Sequence, residues 1–86
     1  MFVIETCRWA NGNYTRWLGV AYASTLEQAR KDIADNILAQ NNREDRGEVY
    51  EREWEALAER AKTAEIGEEF EFEHDARKWR ITEDKD

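Results

Sequence analysis

His74 is the single histidine of the sequence and the side chain best suited to proton transfer near neutral pH. Asp75 follows it directly, so an acid–base pair can be drawn at this position. Nucleophilic catalysis also requires a nucleophile beside the base and a third group that orients the base. The sequence offers no motif of that kind, and we therefore interpret His74 as a turn residue exposed to water.

Cys7 is the single cysteine and a candidate nucleophile, because the neighbouring Arg8 and Arg16 would lower the pKa of its thiol. No CxxC motif and no glycine-rich helix entry accompanies it, so we interpret Cys7 as a packed strand residue. A lone cysteine cannot form an internal disulfide, and one cysteine with one histidine cannot assemble a Cys/His zinc site. Its solitary state is typical of a reducing, cytoplasmic compartment.

Carboxylates are abundant, since 20 acidic residues stand against 13 basic ones and give a formal net charge of −7 over 86 residues. General acid–base catalysis by two carboxylates needs environments that push their pKa values apart. Glu5 is the one acid within an apolar run, and the sequence has no EF-hand loop, P-loop or GxGxxG motif. We therefore expect a protein that is not an enzyme and that binds no cofactor and no metal.

The acidic residues are concentrated in the later part of the chain. Residues 1–31 hold four basic and two acidic side chains, whereas residues 32–86 hold nine basic and eighteen acidic ones. This distribution disfavours nucleic acid as a direct partner, because phosphate binding needs a basic surface. It is typical of a domain kept soluble by its charge, or of an acidic face directed at a partner. The candidate partner-binding acids are Glu48, Glu51, Glu55, Glu59, Glu69, Glu71 and Glu73.

Secondary structure must position these side chains, and residues 2–22 predict a β-hairpin around Asn11-Gly12-Asn13. A two-residue loop would pair Ile4 with Gly19. We favour a three-residue loop, because it gathers the apolar side chains on one face. Its pairs are Phe2 with Tyr22, Ile4 with Val20 and Thr6 with Leu18. Trp9 and Trp17 are left on the opposite face, as a contact surface or as a second layer of core.

Two helices are predicted between residues 24 and 64. Ser24 and Glu27 form a capping-box pattern that opens a helix running to about Gln40. Its apolar positions are Leu26, Ala29, Ile33, Ile37 and Leu38. Residues 41–47 predict a polar connection, and Gly67 follows the second helix as its stop.

The second helix spans Glu48 to Ala64 in this interpretation. Its predicted buried stripe consists of Tyr50, Trp54, Leu57, Ala61 and Ala64. Glu51, Glu55 and Glu59 repeat at every fourth residue outside that stripe. Like charges at this spacing destabilise a helix by about 0.2–0.5 kcal/mol per pair, so their presence is a candidate functional feature.

Residues 68–83 predict a second hairpin, folded about Asp75-Ala76. The predicted pairs are Phe72 with Trp79, Phe70 with Ile81, Glu73 with Lys78 and Glu71 with Arg80. The chain is therefore predicted to be a single α+β domain over residues 1–86 with the order ββααββ. Its antiparallel four-stranded sheet is built from two hairpins, and both helices pack on one face.

We interpret this chain as a non-enzymatic, cytoplasmic protein-binding module that docks on a basic, nucleic-acid-binding surface of a partner protein. In size, acidity and lack of a cofactor motif it resembles the small inhibitors that phages and mobile elements encode, including anti-CRISPR and anti-restriction proteins. This resemblance covers composition alone. The alternative is a homo-oligomeric structural or assembly protein, with a homodimer formed through the hairpin that bears Trp9 and Trp17. No apolar run approaches the ~18 residues of a membrane span, so we expect no membrane partner.

Overall fold

The computed structural model describes residues 1–44, 48–72 and 76–84, and for residues 41–44 and 48–50 it describes the backbone alone. Five strands and two helices are present in this part of the chain. They are β1 (Phe2–Ala10), β2 (Asn13–Tyr14), β3 (Leu18–Ala23), α1 (Leu26–Glu44), α2 (Glu48–Ala61), β4 (Phe70–Phe72) and β5 (Arg77–Glu83).

The predicted α+β class, the antiparallel sheet and the two helices are confirmed. The predicted strand count is wrong, because the sheet has five strands and the chain order is βββααββ. The second predicted strand is interrupted at residues 15–17, which belong to neither β2 nor β3. Both of these short strands pair with β1, and the remaining order is β1-β5-β4.

The centre of the sheet is the antiparallel ladder between β1 and β5, which runs from Phe2 opposite Glu83 to Arg8 opposite Arg77. Ile4 and Thr6 lie opposite Ile81 and Trp79 on the side that packs against the helices, which we call the helix face. The intervening residues, including Glu5 and Cys7, point to the other side, which we call the open face. Each central strand thus contributes to two different surfaces.

The first hairpin changes register twice. Asn11 and Gly12 both have positive φ, and Trp9 pairs with Tyr14 across a two-residue turn. Thr6 pairs with Leu18, as the three-residue loop predicts, and a second shift between Ile4 and Glu5 then brings Ala21 opposite Ile4. The tip of the hairpin therefore has the two-residue loop, and the prediction of a three-residue loop is wrong there.

These shifts overturn part of the predicted core, because a one-residue slip moves a side chain to the other face of a sheet. Tyr22 lies beside Val3 on the open face and is 64% exposed. Val20 falls at the irregularity and is exposed, and Leu18 is exposed although it pairs with Thr6 as predicted. The expectation that these three residues join Phe2 and Ile4 in the core is wrong. In β3, Ala23 belongs to the core and Ala21 packs against it.

Helix α1 begins one residue later than the capping-box pattern predicts. The hydroxyl oxygen of Thr25, not Ser24, accepts a hydrogen bond from the backbone N–H of Gln28 at 3.1 Å. The predicted stripe is buried at Ala29, Ile33 and Ile37. The helix continues to Glu44, so residues 41–44 are helical where a connection was predicted.

Helix α2 ends at Ala61, three residues before the predicted end. The next turns are tightened by i→i−3 hydrogen bonds, such as that from the N–H of Ala64 to the carbonyl of Ala61 at 3.2 Å. Trp54, Leu57 and Ala61 are buried as predicted, and Ala64 stays buried beyond the helix. The side chain of Tyr50 lies outside the described residues.

The second hairpin has the predicted faces but a different register. Phe70 pairs with Trp79 and Phe72 with Arg77, which is a two-residue shift from the predicted pairs. An even shift keeps every side chain on its face, so both phenylalanines still point into the core. Glu71 lies opposite Lys78 and not Arg80, which is a correction. Glu73, His74 and Asp75 lie outside the described residues.

The core is built around Trp54 of α2, which is fully buried. Its ring stacks on Phe72 with centroids 3.7 Å apart and meets the edge of Trp79 at 5.9 Å. The indole N–H of Trp79 donates to the side-chain oxygen of Asn36 in α1 at 2.9 Å. One aromatic cluster therefore fixes both helices against the sheet.

Candidate functional site

The solvent-facing side of α2 carries Glu51, Glu55 and Glu59, which we call the acidic helix face. All three side chains are exposed, because Trp54, Leu57 and Ala61 direct the other side of the helix into the core. Glu59 forms an ion pair with Lys62 at 2.9 Å. Within the part of the chain that the structure describes, no cation forms an ion pair with Glu51 or Glu55. Glu48 begins the same helix, but its side chain is outside the described residues.

Glu69 and Glu71 lie apart from the acidic helix face and have partners within the protein. The Lys78 ammonium is 3.4 Å from a carboxylate oxygen of Glu69. The Tyr14 hydroxyl donates a hydrogen bond to a carboxylate oxygen of Glu71. These contacts form on the open face, on the side of the sheet away from α2. The structure therefore divides the predicted band of acids between two surfaces.

Tyr14 is the residue of this group that the sequence did not single out. Its ring centroid is 4.2 Å from the Lys78 ammonium, which places a cation against the aromatic face. The hydrogen bond to Glu71, with burial as the next cause, raises the pKa of Tyr14 to about 12. No sequence signal predicts this contact, because it depends on how β2 and β4 are placed in the sheet on either side of β1 and β5.

Trp9 and Trp17 belong to the same open face. Trp9 is 52% exposed and meets Tyr14 edge to face, with ring centroids 5.2 Å apart. Trp17 is half-buried, because the guanidinium of Arg80 lies 4.1 Å from its ring centroid. Arg80 also donates to Glu5 at 2.9 Å. Trp9 is thus free to touch a partner, whereas Trp17 covers an ion pair of the chain itself.

Cys7 is buried on the open face beneath this layer. Burial raises the pKa of its thiol, and the Lys78 ammonium offsets only part of that effect. The thiol is therefore protonated at neutral pH, which is opposite to the activation that adjacent arginines would give. Among the described residues, no group of three or more His, Cys, Asp or Glu side chains could hold a metal ion.

Comparisons with protein families, with curated proteins and with solved structures find no match to this chain. In the described part of the chain, neither helix combines the length and the apolar character that crossing a membrane requires.

Proposed function

We propose that this protein is a non-enzymatic binding domain that docks its acidic helix face on a basic surface of a partner protein. The observation that carries the proposal is the exposure of Glu51, Glu55 and Glu59 at successive turns of one helix. This arrangement opposes helix stability, because like charges at this spacing repel each other. Cations of a partner would relieve that repulsion on association.

The partner that this surface suits best is a protein that handles nucleic acid, since such proteins present basic surfaces. The domain would compete with DNA or RNA for that surface, as inhibitors of the anti-CRISPR or anti-restriction type do. The net charge of −7 supports this assignment, because it repels nucleic acid and favours basic partners. A cytoplasmic location suits the single, unpaired Cys7.

The test reverses the acidic helix face by combining Glu51→Lys, Glu55→Lys and Glu59→Lys. Association is measured against a panel of purified nucleases and other nucleic-acid-binding proteins, at low and at physiological ionic strength. At least one member should bind the parent protein with a rate that falls as salt is added. The triple variant should associate roughly tenfold more slowly and lose most of the salt dependence.

The matched control combines Glu65→Lys, Glu83→Lys and Asp84→Lys, which reverses three exposed acids away from α2. It changes the net charge by the same amount and should keep most of the association rate. Equal losses in both variants would assign the effect to overall charge and contradict docking by this face. An unchanged rate in the α2 variant would leave solubility as the role of these acids.

A second candidate function is assembly through the first hairpin. Trp9 is exposed there, and the neighbouring β3 pairs with β1 alone and carries the exposed Leu18, Val20 and Tyr22. β3 contains no charged residue, and an uncharged, apolar edge strand is a common site of strand pairing between chains. A homodimer formed at this edge would keep the acidic helix face exposed on both copies.

A further inference from the structure

A cleft of about 500 Å³ lies where the first hairpin is interrupted between β2 and β3. We call it the arginine cleft, because three of its lining residues are Arg8, Arg16 and Arg77. The other lining residues are Thr6, Cys7, Thr15, Leu18 and Val20. Among the residues that the structure describes, no acidic side chain lines it, although 20 of the 86 residues of the sequence are acidic. The cleft is thus a local concentration of positive charge on an acidic protein.

The position of Arg8 and Arg77 is electrostatically unfavourable. They lie directly opposite each other in the β1–β5 ladder, and like charges in that arrangement destabilise a sheet. The α1 acids Asp32 and Asp35 do not neutralise Arg8 or Arg16. Asp32 accepts a hydrogen bond from Gln28 instead, and Asp35 lines a separate cleft beside Lys31.

Arg77 also has an unsatisfied hydrogen-bond donor. Its Nε is buried and has no acceptor in the structure. A buried donor without an acceptor loses its bond to water and gains nothing in return. An anion in the arginine cleft would accept hydrogen bonds from the guanidinium groups that line it and would also screen Arg8 from Arg77.

We propose that the arginine cleft binds a small phosphate monoester. The phosphate group lies among the three guanidinium groups, and the organic substituent lies against Leu18 and Val20. This proposal is independent of the acidic helix face and does not require the proposed function.

A phosphate monoester fits this charge better than a carboxylate or a phosphodiester does. It carries nearly two negative charges at neutral pH and offers three terminal oxygens to the planar forks of the arginines. The Thr15 hydroxyl oxygen accepts from the backbone N–H of Arg8 at 3.1 Å, so its own hydrogen can point to the ligand. The volume lies within the range of about 300–1,000 Å³ that is usual for small-molecule sites.

The net charge of the chain does not by itself exclude an anion site in the cleft. Ionic interactions are screened beyond about 8 Å at physiological salt, so the three lining arginines contribute more to the field in the cleft than acids that lie farther away than that. The acidic helix face lies on the outside of α2, and none of its residues lines the cleft.

Phenyl phosphate is the probe for the test, titrated into the full chain by calorimetry above neutral pH, where it is a dianion. Binding should be saturable, and Arg16→Gln should weaken it roughly tenfold, because one charge-assisted pair is lost. Arg8→Gln should weaken it to a similar degree. Arg52→Gln is the matched control, since Arg52 is an exposed arginine of α2 outside the cleft, and its affinity should be unchanged.

Three further ligands test which kind of anion the cleft prefers. Inorganic phosphate should bind more weakly than phenyl phosphate, because it lacks the group that covers Leu18 and Val20. Dimethyl phosphate and acetate should bind more weakly still, since each carries a single charge. Equal binding of acetate, or of dimethyl phosphate, would overturn the assignment to a phosphate monoester.

Stability without ligand gives an independent measurement. Arg8→Gln should raise the melting temperature or leave it unchanged in phosphate-free buffer, because it removes the repulsion from Arg77. A parent protein that shows no saturable binding, or an Arg52→Gln variant that loses as much affinity as Arg16→Gln, would overturn the proposal. Circular dichroism of each variant shows whether the fold is kept, and Arg8 and Arg16 are exposed positions where we expect it to be.

Discussion

Tyr14 connects the tip of the first hairpin to the last hairpin through one hydroxyl group. Its partner, Glu71, lies in β4, and β1 and β5 both lie between the two residues in the sheet. A phenol that donates to a carboxylate gives up its proton less readily, since deprotonation would place two negative charges side by side. The contact therefore couples the ionisation of Tyr14 to the attachment of the hairpin tip to β4.

This contact makes alkaline stability depend on Tyr14. The pKa is about 12 in the folded protein, against about 10 for an unperturbed tyrosine in the unfolded chain. Stabilisation by the protonated phenol is thus complete below about pH 10 and is lost as the pH rises through about 12. We expect the free energy of unfolding of Tyr14→Phe to lack this alkaline decrease. Urea unfolding at pH values below 10 and near 12 measures it for both proteins.

The phenolate absorbance of the native protein provides the control. The parent should show one tyrosine that titrates near pH 12, and Tyr14→Phe should lack that step. Glu71→Gln keeps an acceptor oxygen but removes the charge, so the step should move to lower pH. If the step that Tyr14→Phe removes lay near pH 10, the ordinary value for tyrosine, the hydrogen bond would not hold in solution.

The start of α1 shows how one element is defined by a single hydroxyl. Thr25 accepts from the N–H of Gln28, whereas Ser24 has no such bond. We expect Thr25→Ala to lower the free energy of unfolding by about 1 kcal/mol, because a backbone donor of the first turn loses its acceptor. Urea unfolding at neutral pH measures this difference.

Ser24→Ala is the matched control, with the same chemical change one residue earlier. Its cost should stay within about 0.5 kcal/mol, as for a surface substitution that removes no specific contact. A larger loss for Ser24→Ala than for Thr25→Ala would place the cap at Ser24, as the capping-box pattern predicts.

The elements differ in how far their sequences predict them, for physical reasons. The buried stripe of α2 follows from the spacing of Trp54, Leu57 and Ala61, and the structure buries all three. Alternation in β4 and β5 predicts which side chains face the core but not their partners, since turn geometry sets the register. In the first hairpin, two separate one-residue shifts cannot be read from alternation, and the predicted position of Tyr22 is wrong for this reason.

The two candidate sites differ in the same way, since one depends on a local pattern and the other on strand pairing. Exposure of Glu51, Glu55 and Glu59 follows from helical periodicity, which is local. The arginine cleft depends on Arg8 lying opposite Arg77, and their juxtaposition is set by the pairing of β1 with β5. No local pattern joins residues so far apart in the chain. The sequence therefore places Arg8 and Arg16 in one hairpin but does not indicate that they lie beside Arg77.

At the scale of the whole molecule, the open face and the helix layer offer two different surfaces for assembly. If β3 and Trp9 form a dimer interface, combining Trp9→Ser with Trp17→Ser should halve the mass measured by light scattering. The variant should stay folded and lose about 0.5–1 kcal/mol, because the contact between Arg80 and Trp17 is removed.

Ile66→Ser is the control for that measurement, since Ile66 is exposed at 45% and lies outside the first hairpin. It should keep the mass of the parent. A parent protein that is monomeric at every concentration would exclude the dimer and leave docking by the acidic helix face as the candidate function.

The central β1–β5 ladder has a consequence for the time course of folding. Even its pair closest in sequence, Arg8 with Arg77, encloses 68 residues, so most of the chain must be looped before the first pair can form. Folding rates fall as the sequence separation of native contacts grows. During synthesis, β1 emerges first and must wait for β5, while α1 and α2 can already form their local hydrogen bonds. β2 and β3 can pair with β1 early, but the edge of β1 that pairs with β5 stays open until synthesis reaches β5, and exposure to aggregation is greatest in that interval.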